Sequence, residues 1–334
     1  MSAQPTLGQL GAFLKLIAAF AVGLALAGVV STAPAQAQNQ HSFVASFGND
    51  ANACTLAAPC RHLQAALAAT ISGGEIAILD TAGYNGGTTV TITKAVSIVN
   101  PGGFEAAIAP PSFGAGIIIN AGTNDAISLR GLSIDGGGVA GTGGIAFNTG
   151  ASLTLENCII RHMATDGIDF ESTTATSAFT VSNTLVADNG GRGIYLIPAG
   201  SITAVFNRVE VNNNGNHGIA VDGQFSAGSN TVNATVSDSV AAGNIEFGFY
   251  AFTQSGNAPT SLTVSHSIAA NNGTGVRAEG LGGTGATVRL ANSTVTGNVI
   301  GWQAVSGGVM DSYGDNYIDG NEGNTGSLTS ISKQ

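Results

Sequence analysis

Gly193-Ile194-Tyr195-Leu196 and Gly218-Ile219-Ala220-Val221 open two successive copies of one pattern. Each copy runs from a Gly and an apolar residue through a polar loop to an alternating apolar strand, then an Asn or Asp, then a turn ending in Asn. Working outward, the same opening recurs at Gly167, Gly248, Gly275 and Gly301, so the six copies are spaced by 26, 25, 30, 27 and 26 residues. The strands after the loops read Phe179-Thr180-Val181-Ser182-Asn183, Ala204-Val205-Phe206-Asn207, Thr235-Val236-Ser237-Asp238, Leu262-Thr263-Val264-Ser265-His266 and Val288-Arg289-Leu290-Ala291-Asn292. A fixed period of this length, from about Asn124 to Asn321, means a solenoid. No single repeat can bury its own apolar face, so neighbours must stack.

Each repeat returns in the same chain direction, which predicts parallel strands, and parallel crossovers are overwhelmingly right-handed. Coils roughly 4.8 Å apart would stack about nine or ten high into a rod of order 45 Å. Within each glycine-opened strand, alternation places Ile168, Ile194, Ile219, Phe249, Val276 and Trp302 inside. Two residues on, Phe170, Leu196, Val221, Ala251, Ala278 and Ala304 point the same way. The fold class is therefore all-β, a single-domain right-handed parallel β-helix over residues 75–321. A short strand at Ser42–Ala45 and a capping helix from Pro59 to about Thr70 precede it, and Gly73-Gly74 is expected to stop the helix. Covering an open solenoid end has a physical purpose, since bare strand edges invite pairing. Residues 322–334 read as a frayed polar tail.

Composition narrows the function classes. Charged residues are 9% and hydrophobic ones 43% of the chain, which excludes a disordered protein. The formal charge is −10; the first 37 residues hold one Lys and no acid, so the remainder carries −11. An acidic surface disfavours nucleic acid and anionic membranes, both of which need Lys and Arg. Lys15, the apolar run Leu16–Val30 and Ala33-Pro34-Ala35-Gln36-Ala37 form a secretory signal, with cleavage expected after Ala37. No other segment could span a membrane, so the mature chain is expected in the periplasm, at the cell surface or outside the cell. Cys54 and Cys60, with five residues between them, can close a disulfide in such a compartment. Cys158 stands alone and is expected to pack as a small hydrophobe, and no grouping of ligands suggests a structural metal.

With these residues in place, the chain resembles the right-handed parallel β-helix superfamily, the fold shared by pectate lyases and polygalacturonases. In style it is similar to exported bacterial β-helix repeat proteins of unknown role. The resemblance covers about residues 42–321 and includes Gly48-Asn49-Asp50 through Cys54, Pro59-Cys60 and the Asn-punctuated coils. Two fragments resemble polygalacturonase motifs. Thr165-Asp166-Gly167-Ile168-Asp169 resembles Asn-Thr-Asp-Gly-X-Asp, and Asn216-His217-Gly218-Ile219 resembles Gly-His-Gly. A hydrolase of that type would use Asp166, Asp169 and His217, because inverting hydrolysis needs a carboxylic acid and a carboxylate base. The pattern departs from the family at Ala164, at Arg192-Gly193 where an Asp-Asp pair would stand, and after His217, where no Arg-X-Lys follows. A lyase would need clustered acids for Ca²⁺ and an Arg or Lys base. Asp169, Glu171, Asp222 and Glu279, with Arg277 among them, share the outward phase. No other cofactor is implied.

The same outward phase carries Tyr195, Tyr250, Phe252 and Ile197. Tyr195 and Tyr250 could stack on sugar rings, with Asp169, Asp222 and Arg277 as polar anchors. Alternatively the loops Ser172–Ala178, Gln224–Ser229 and Thr253–Pro259 fold over and bury them. The Asn/Asp column (Asn157, Asn183, Asn207, Asp238, His266, Asn292) and the second column (Asn189, Asn213, Asn244, Asn272, Asn298) read as structural amide ladders, the first also as left-handed turns. Two functions fit. The leading one is an exported non-catalytic binding or scaffold module, with polysaccharide as its partner. The other is a polysaccharide-active hydrolase or lyase. A tight cluster of acids with His or Arg in a groove favours the enzyme; a smooth aromatic-lined sheet favours the binder.

Overall fold

The computed structural model describes residues 38–282 and 285–333. The expected secretory signal lies outside them. Among the described residues the chain is a parallel β-solenoid with one short helix. Ten strands form a continuous sheet on one face: Val90–Ile92, Ala115–Asn120, Gly143–Thr149, Ile168–Phe170, Ile194–Leu196, Ile219–Asp222, Phe247–Gln254, Thr274–Leu281, Ile300–Val305 and Gly323–Thr325. Each pairs in parallel with the next coil. The remaining strands build the other faces. Thr176–Ala187 and Ser201–Asn212 are long enough to run through both of them.

The alternation holds. Ile168, Ile194, Ile219, Phe249 and Val276 are fully buried, as are Phe170, Leu196, Val221, Ala251 and Ala278. Trp302, at the C-terminal end of the stack, is half-buried against the core. Inside, Phe147 stacks on Phe170 with ring centroids 4.2 Å apart, Phe170 on Phe179 at 4.6 Å, and Phe206 meets Phe179 edge-on. Phe147 and Phe170, one coil apart, sit at stacking distance because the coil repeat and the aromatic separation are of similar size.

Both ends differ from expectation. The helix spans Leu63–Ala69 and buries Leu63, Ala66 and Leu67 over the first coils. It stops at Thr70, whose hydroxyl bonds Ala66 O, and not at the glycines. A strand then runs from Thr70 to Ile78 straight through Gly73-Gly74. Gly74 is needed because a Cβ there would lie 2.6 Å from Thr70 Cγ2 and 2.8 Å from Gln40 O. The first strand, Asn39–Val44, pairs with this one and so belongs to the solenoid. At the far end the tail is not wholly frayed: Gly323–Thr325 and Leu328–Ser330 continue the stacking. Cys54 and Cys60 are joined in a disulfide, and Cys158 is free and buried, as expected.

The two Asn columns have different structures. In the first, Asn157, Asn183, Asp238, His266 and Asn292 take φ between 47° and 54°, and Arg208 (φ 53°) replaces Asn207 in its coil. These side chains are exposed and form left-handed turns, not a continuous ladder. The ladder passes one residue later. The hydroxyls of Thr184, Ser239, Ser267 and Ser293 accept backbone N–H groups from the preceding coil at 3.0–3.3 Å. The second column is a true amide ladder, with Asn214 in place of Asn213. From Asn189 through Asn214, Asn244, Asn272 and Asn298 to Asn321, each Nδ2 donates to the next Oδ1 at 2.9–3.0 Å.

This ladder also explains the glycine column. A Cβ on Gly167, Gly193, Gly218, Gly248, Gly275 or Gly301 would lie 2.7–2.9 Å from the Nδ2 of a ladder asparagine. Glycine and asparagine recur together because one makes room for the other.

Candidate functional site

Outward-facing residues of the ten-stranded sheet form three columns. The residue before each glycine gives Asp166, Arg192, His217 and Phe247, placed on consecutive coils by the bonds from Gly167, Gly193 and Gly218 N–H to the next carbonyl. The second residue after each glycine gives Asp169, Tyr195, Ala220, Tyr250, Arg277 and Gln303. Two residues further on stand Asp222, Phe252, Glu279 and Val305.

The lower part of this face is a cluster of charged groups. Arg192 grips Asp166 with Nη2 to Oδ2 at 2.6 Å and Nε to both oxygens at 3.1 Å, and its backbone N–H adds 2.6 Å to Oδ1. Its guanidinium also lies 3.5 Å above the Tyr195 ring. Asp169 stands beside this pair. Its Oδ1 is buried without a hydrogen-bond partner. Burial first, then the charges of Glu171 and Asp166, push the Asp169 carboxyl up to about 7, with Arg192 opposing. Below about 7 it is therefore mainly protonated, where an ordinary carboxyl is ionised.

His217 stacks on Phe247 with centroids 4.6 Å apart and planes 7° from parallel. Its Nδ1 comes within 3.4 Å of Glu246 Oε2 yet is buried without hydrogen-bond geometry. That contact is an ion pair only if the ring is charged. Burial, with Arg192 and Arg277 nearby, holds His217 down to about 4, so the ring is neutral at physiological pH.

The upper part is closed. Tyr250 donates to Glu279 Oε2 at 2.8 Å, and Arg277 binds the same oxygen through Nε and Nη2 at 3.0 and 2.8 Å. Arg277 also bonds Gln303 and covers the Phe247 ring. Tyr195 donates to Asp222 Oδ2 at 2.9 Å, and Gln224 adds its backbone and side-chain amides. Burial raises the Asp222 carboxyl above its usual value, and raises the phenols of Tyr195 and Tyr250 as well.

The expected residues thus do share one face, in two different conditions. Asp169 and Asp166 line an open cleft, with His217 two coils on. Asp222, expected as an exposed anchor, points outward in phase but is only 5% exposed. Ile197, at the same 5%, is likewise buried. Tyr195 has one face under Arg192, and Tyr250 is packed by His217, Phe247 and Phe252. Loops contribute to the cover: residues Ala227 and Asn257 bridge two of them, and Asn257 Nδ2 bonds Gln224 O. Arg192, Glu246 and Gln224 were missed by the sequence reading. Stepping one residue back from each glycine would have found Arg192 in line with Asp166 and His217.

Among the described residues, no group of three or more His, Cys, Asp or Glu side chains converges so as to hold a metal ion.

A family model described as the right-handed beta helix region matches residues 82–232. The chain is a right-handed parallel β-helix. Among solved structures, pectate lyase Pel9A is similar over 89% of this chain and 78% of its own, with 18% identity and a TM-score of 0.56. The A-module of mannuronan C-5 epimerase AlgE4 from Azotobacter vinelandii is 13% identical over 78% of this chain and 91% of its own (TM-score 0.45). A GH136 lacto-N-biosidase from Eubacterium ramulus is 10% identical over 88% and 68% (TM-score 0.46). No curated protein matches the sequence. Among the described residues no helix is long and apolar enough to cross a membrane.

Proposed function

We propose that this β-helix is a polysaccharide-active glycoside hydrolase centred on Asp169 and Asp166. The observation that carries the reading is the pair of unlike carboxyls beside one cleft. Asp169 keeps its proton up to about 7, far above an ordinary carboxyl, and has an unsatisfied oxygen, while Asp166 is held in an ion pair by Arg192. A carboxyl that burial disposes to keep its proton, beside a second one that faces a guanidinium, can supply an acid and a base. Asp169 gives its proton to the glycosidic oxygen as the C–O bond breaks, and water adds to the anomeric carbon and loses its proton to Asp166. Neutral His217 lies further along the face, where it can hydrogen-bond a sugar hydroxyl.

The arrangement favours the enzyme over the binding module because the tyrosine rings offered as stacking platforms are already packed by their neighbours. It favours hydrolysis over elimination because Arg192 and Arg277 both hold carboxylate partners, leaving neither free to abstract a proton. The Cys54–Cys60 disulfide supports a setting outside the cytoplasm.

The test is release of reducing ends from a panel of plant and bacterial polysaccharides by the chain from residue 38 onward. Activity should decline as pH rises past about 7, where Asp169 loses its proton. Asp169→Asn should lower the rate by about 10²–10⁴-fold while leaving the fold intact. An unaffected Asp169→Asn variant, or products that are unsaturated uronides, would overturn the assignment.

A further inference from the structure

Directly below Asp169 the sheet opens into a cleft of about 220 Å³. Its floor is Gly143, Gly144 and Ala146, and Ala146 precedes Asp169 in the same outward column. Gly144 cannot be larger, because a Cβ would lie 2.1 Å from Gly167 O and 2.7 Å from Ile160 Cγ2. Small residues there leave a hollow between the loop before the sheet and the acids above.

One wall of the cleft is Phe113, in the excursion that follows Pro110-Pro111. It takes φ 59°, a left-handed conformation that is an outlier for a bulky side chain, and is 83% exposed. It is held by its backbone N–H to Ala140 O at 3.4 Å, and its ring rests on Gly141, where a Cβ would lie 2.4 Å away. Strain of this kind persists only where the surroundings impose it. The chain thus fixes an aromatic ring upright beside the cleft without burying it. Thr165, Asp166 and Asp169 form the opposite wall.

An aromatic wall facing hydroxyl and carboxyl groups matches the two sides of a pyranose, an apolar C–H face and a polar edge. Charge narrows the choice. The cleft contains two acids, and the neighbouring cation, Arg192, is committed to Asp166 and to the Tyr195 ring. A ring bearing its own carboxylate would bring a charge into the cleft with no uncommitted cation in the lining to pair with it, and an unpaired charge there disfavours binding. We propose that this cleft seats one neutral pyranose ring of the substrate, and that Phe113 is the positioning residue that holds it beside Asp169. This deepens the hydrolase reading and rests on it for the site, but it can be tested by binding alone.

The experiment titrates neutral hexasaccharides (cello-, xylo-, β-1,3-gluco- and N-acetylchito-oligosaccharides) and oligogalacturonate and oligomannuronate into the Asp169→Asn protein. At least one neutral series should bind and both uronates should fail. Phe113→Ala should weaken binding about tenfold, the loss of one stacked ring, and Phe113→Tyr should restore it. In the active protein Phe113→Ala should raise KM far more than it lowers kcat. Uronate binding as tight as neutral binding, no binding by any probe, or an unaffected Phe113→Ala would overturn the proposal. Hydrolysis that ignores Phe113 sinks the subsite and leaves the hydrolase standing. Neutral-glycan binding through Phe113 without hydrolysis does the reverse.

Discussion

The two sides of the glycine-opened sheet obey opposite rules. At its inner edge the amide ladder from Asn189 to Asn321 repeats the same residue in coil after coil, and each Oδ1 that continues it accepts from the coil before. On the outer face, at the same coil spacing, no residue type persists: Asp166 is followed by Arg192, His217 and Phe247, and Asp169 by Tyr195, Ala220 and Tyr250. Here lie the unpartnered Oδ1 of Asp169 and Nδ1 of His217. A solenoid needs repetition to stack, so a position that repeats is explained by stacking. A column that stops repeating has been released from that duty and is free to differ for chemistry.

The largest effects should come from breaking the repeated side. Val221→Asp would place a carboxylate among fully buried residues with no partner, and soluble folded protein should not be recovered. Next comes the ladder. Asn244 accepts from Asn214 N and Nδ2 at 3.1 and 2.9 Å and donates to Asn272 Oδ1 and Val211 O at 3.0 Å. Asn244→Ala strands those partners in the interior, and chemical denaturation should show a loss of about 3–5 kcal/mol. Asn213→Ala is the control. Asn213 is exposed with φ 55°, so its loss should cost about 1 kcal/mol, mainly left-handed strain, and Asn213→Gly almost nothing. Equal costs at residues 213 and 244 would show that the ladder does not run through Asn214.

That contrast also marks what was legible in the sequence. Period, parallel stacking and the inside set could be read because burial acts on every coil alike, so a wrong phase fails at several residues together. The ladder was misread by one residue at Asn212-Asn213-Asn214, where three identical residues offer three registers and only packing against Gly193 chooses between them. Gly73-Gly74 was misread as a helix stop because glycine also permits the close approach of another backbone, which local sequence does not distinguish. On the outer face, alternation tells which way Asp222 points but not that Tyr195 and Gln224 cover it. Phe113 drew no reading from the sequence, since the cleft beside it is made by residues from three separate coils.

The smallest expected effect sharpens the comparison most, because the two unsatisfied groups of the outer face should respond to pH in opposite senses. Asp169 holds its proton up to about 7 in the folded chain against a usual 3.8. Between those values the folded state binds more protons than the unfolded one, so this group makes stability fall as pH rises and its contribution is gone above about 7. His217 is held down to about 4 from a usual 6.5. Between those values the unfolded chain takes up a proton that the buried ring refuses, so its contribution is present above 6.5 and is lost as pH falls toward 4. Asp169→Asn should therefore gain on the parent chain by a few degrees in Tm at pH 8 relative to pH 4. His217→Gln should lose its disadvantage, or turn it into a gain, at pH 4 relative to pH 8. Thermal melts of both variants across that range provide the check. If the two difference curves slope the same way, Asp169 and His217 do not carry the opposed protonation states the site requires. If both are flat, water reaches these groups freely and the outer face is no more than a solvated surface.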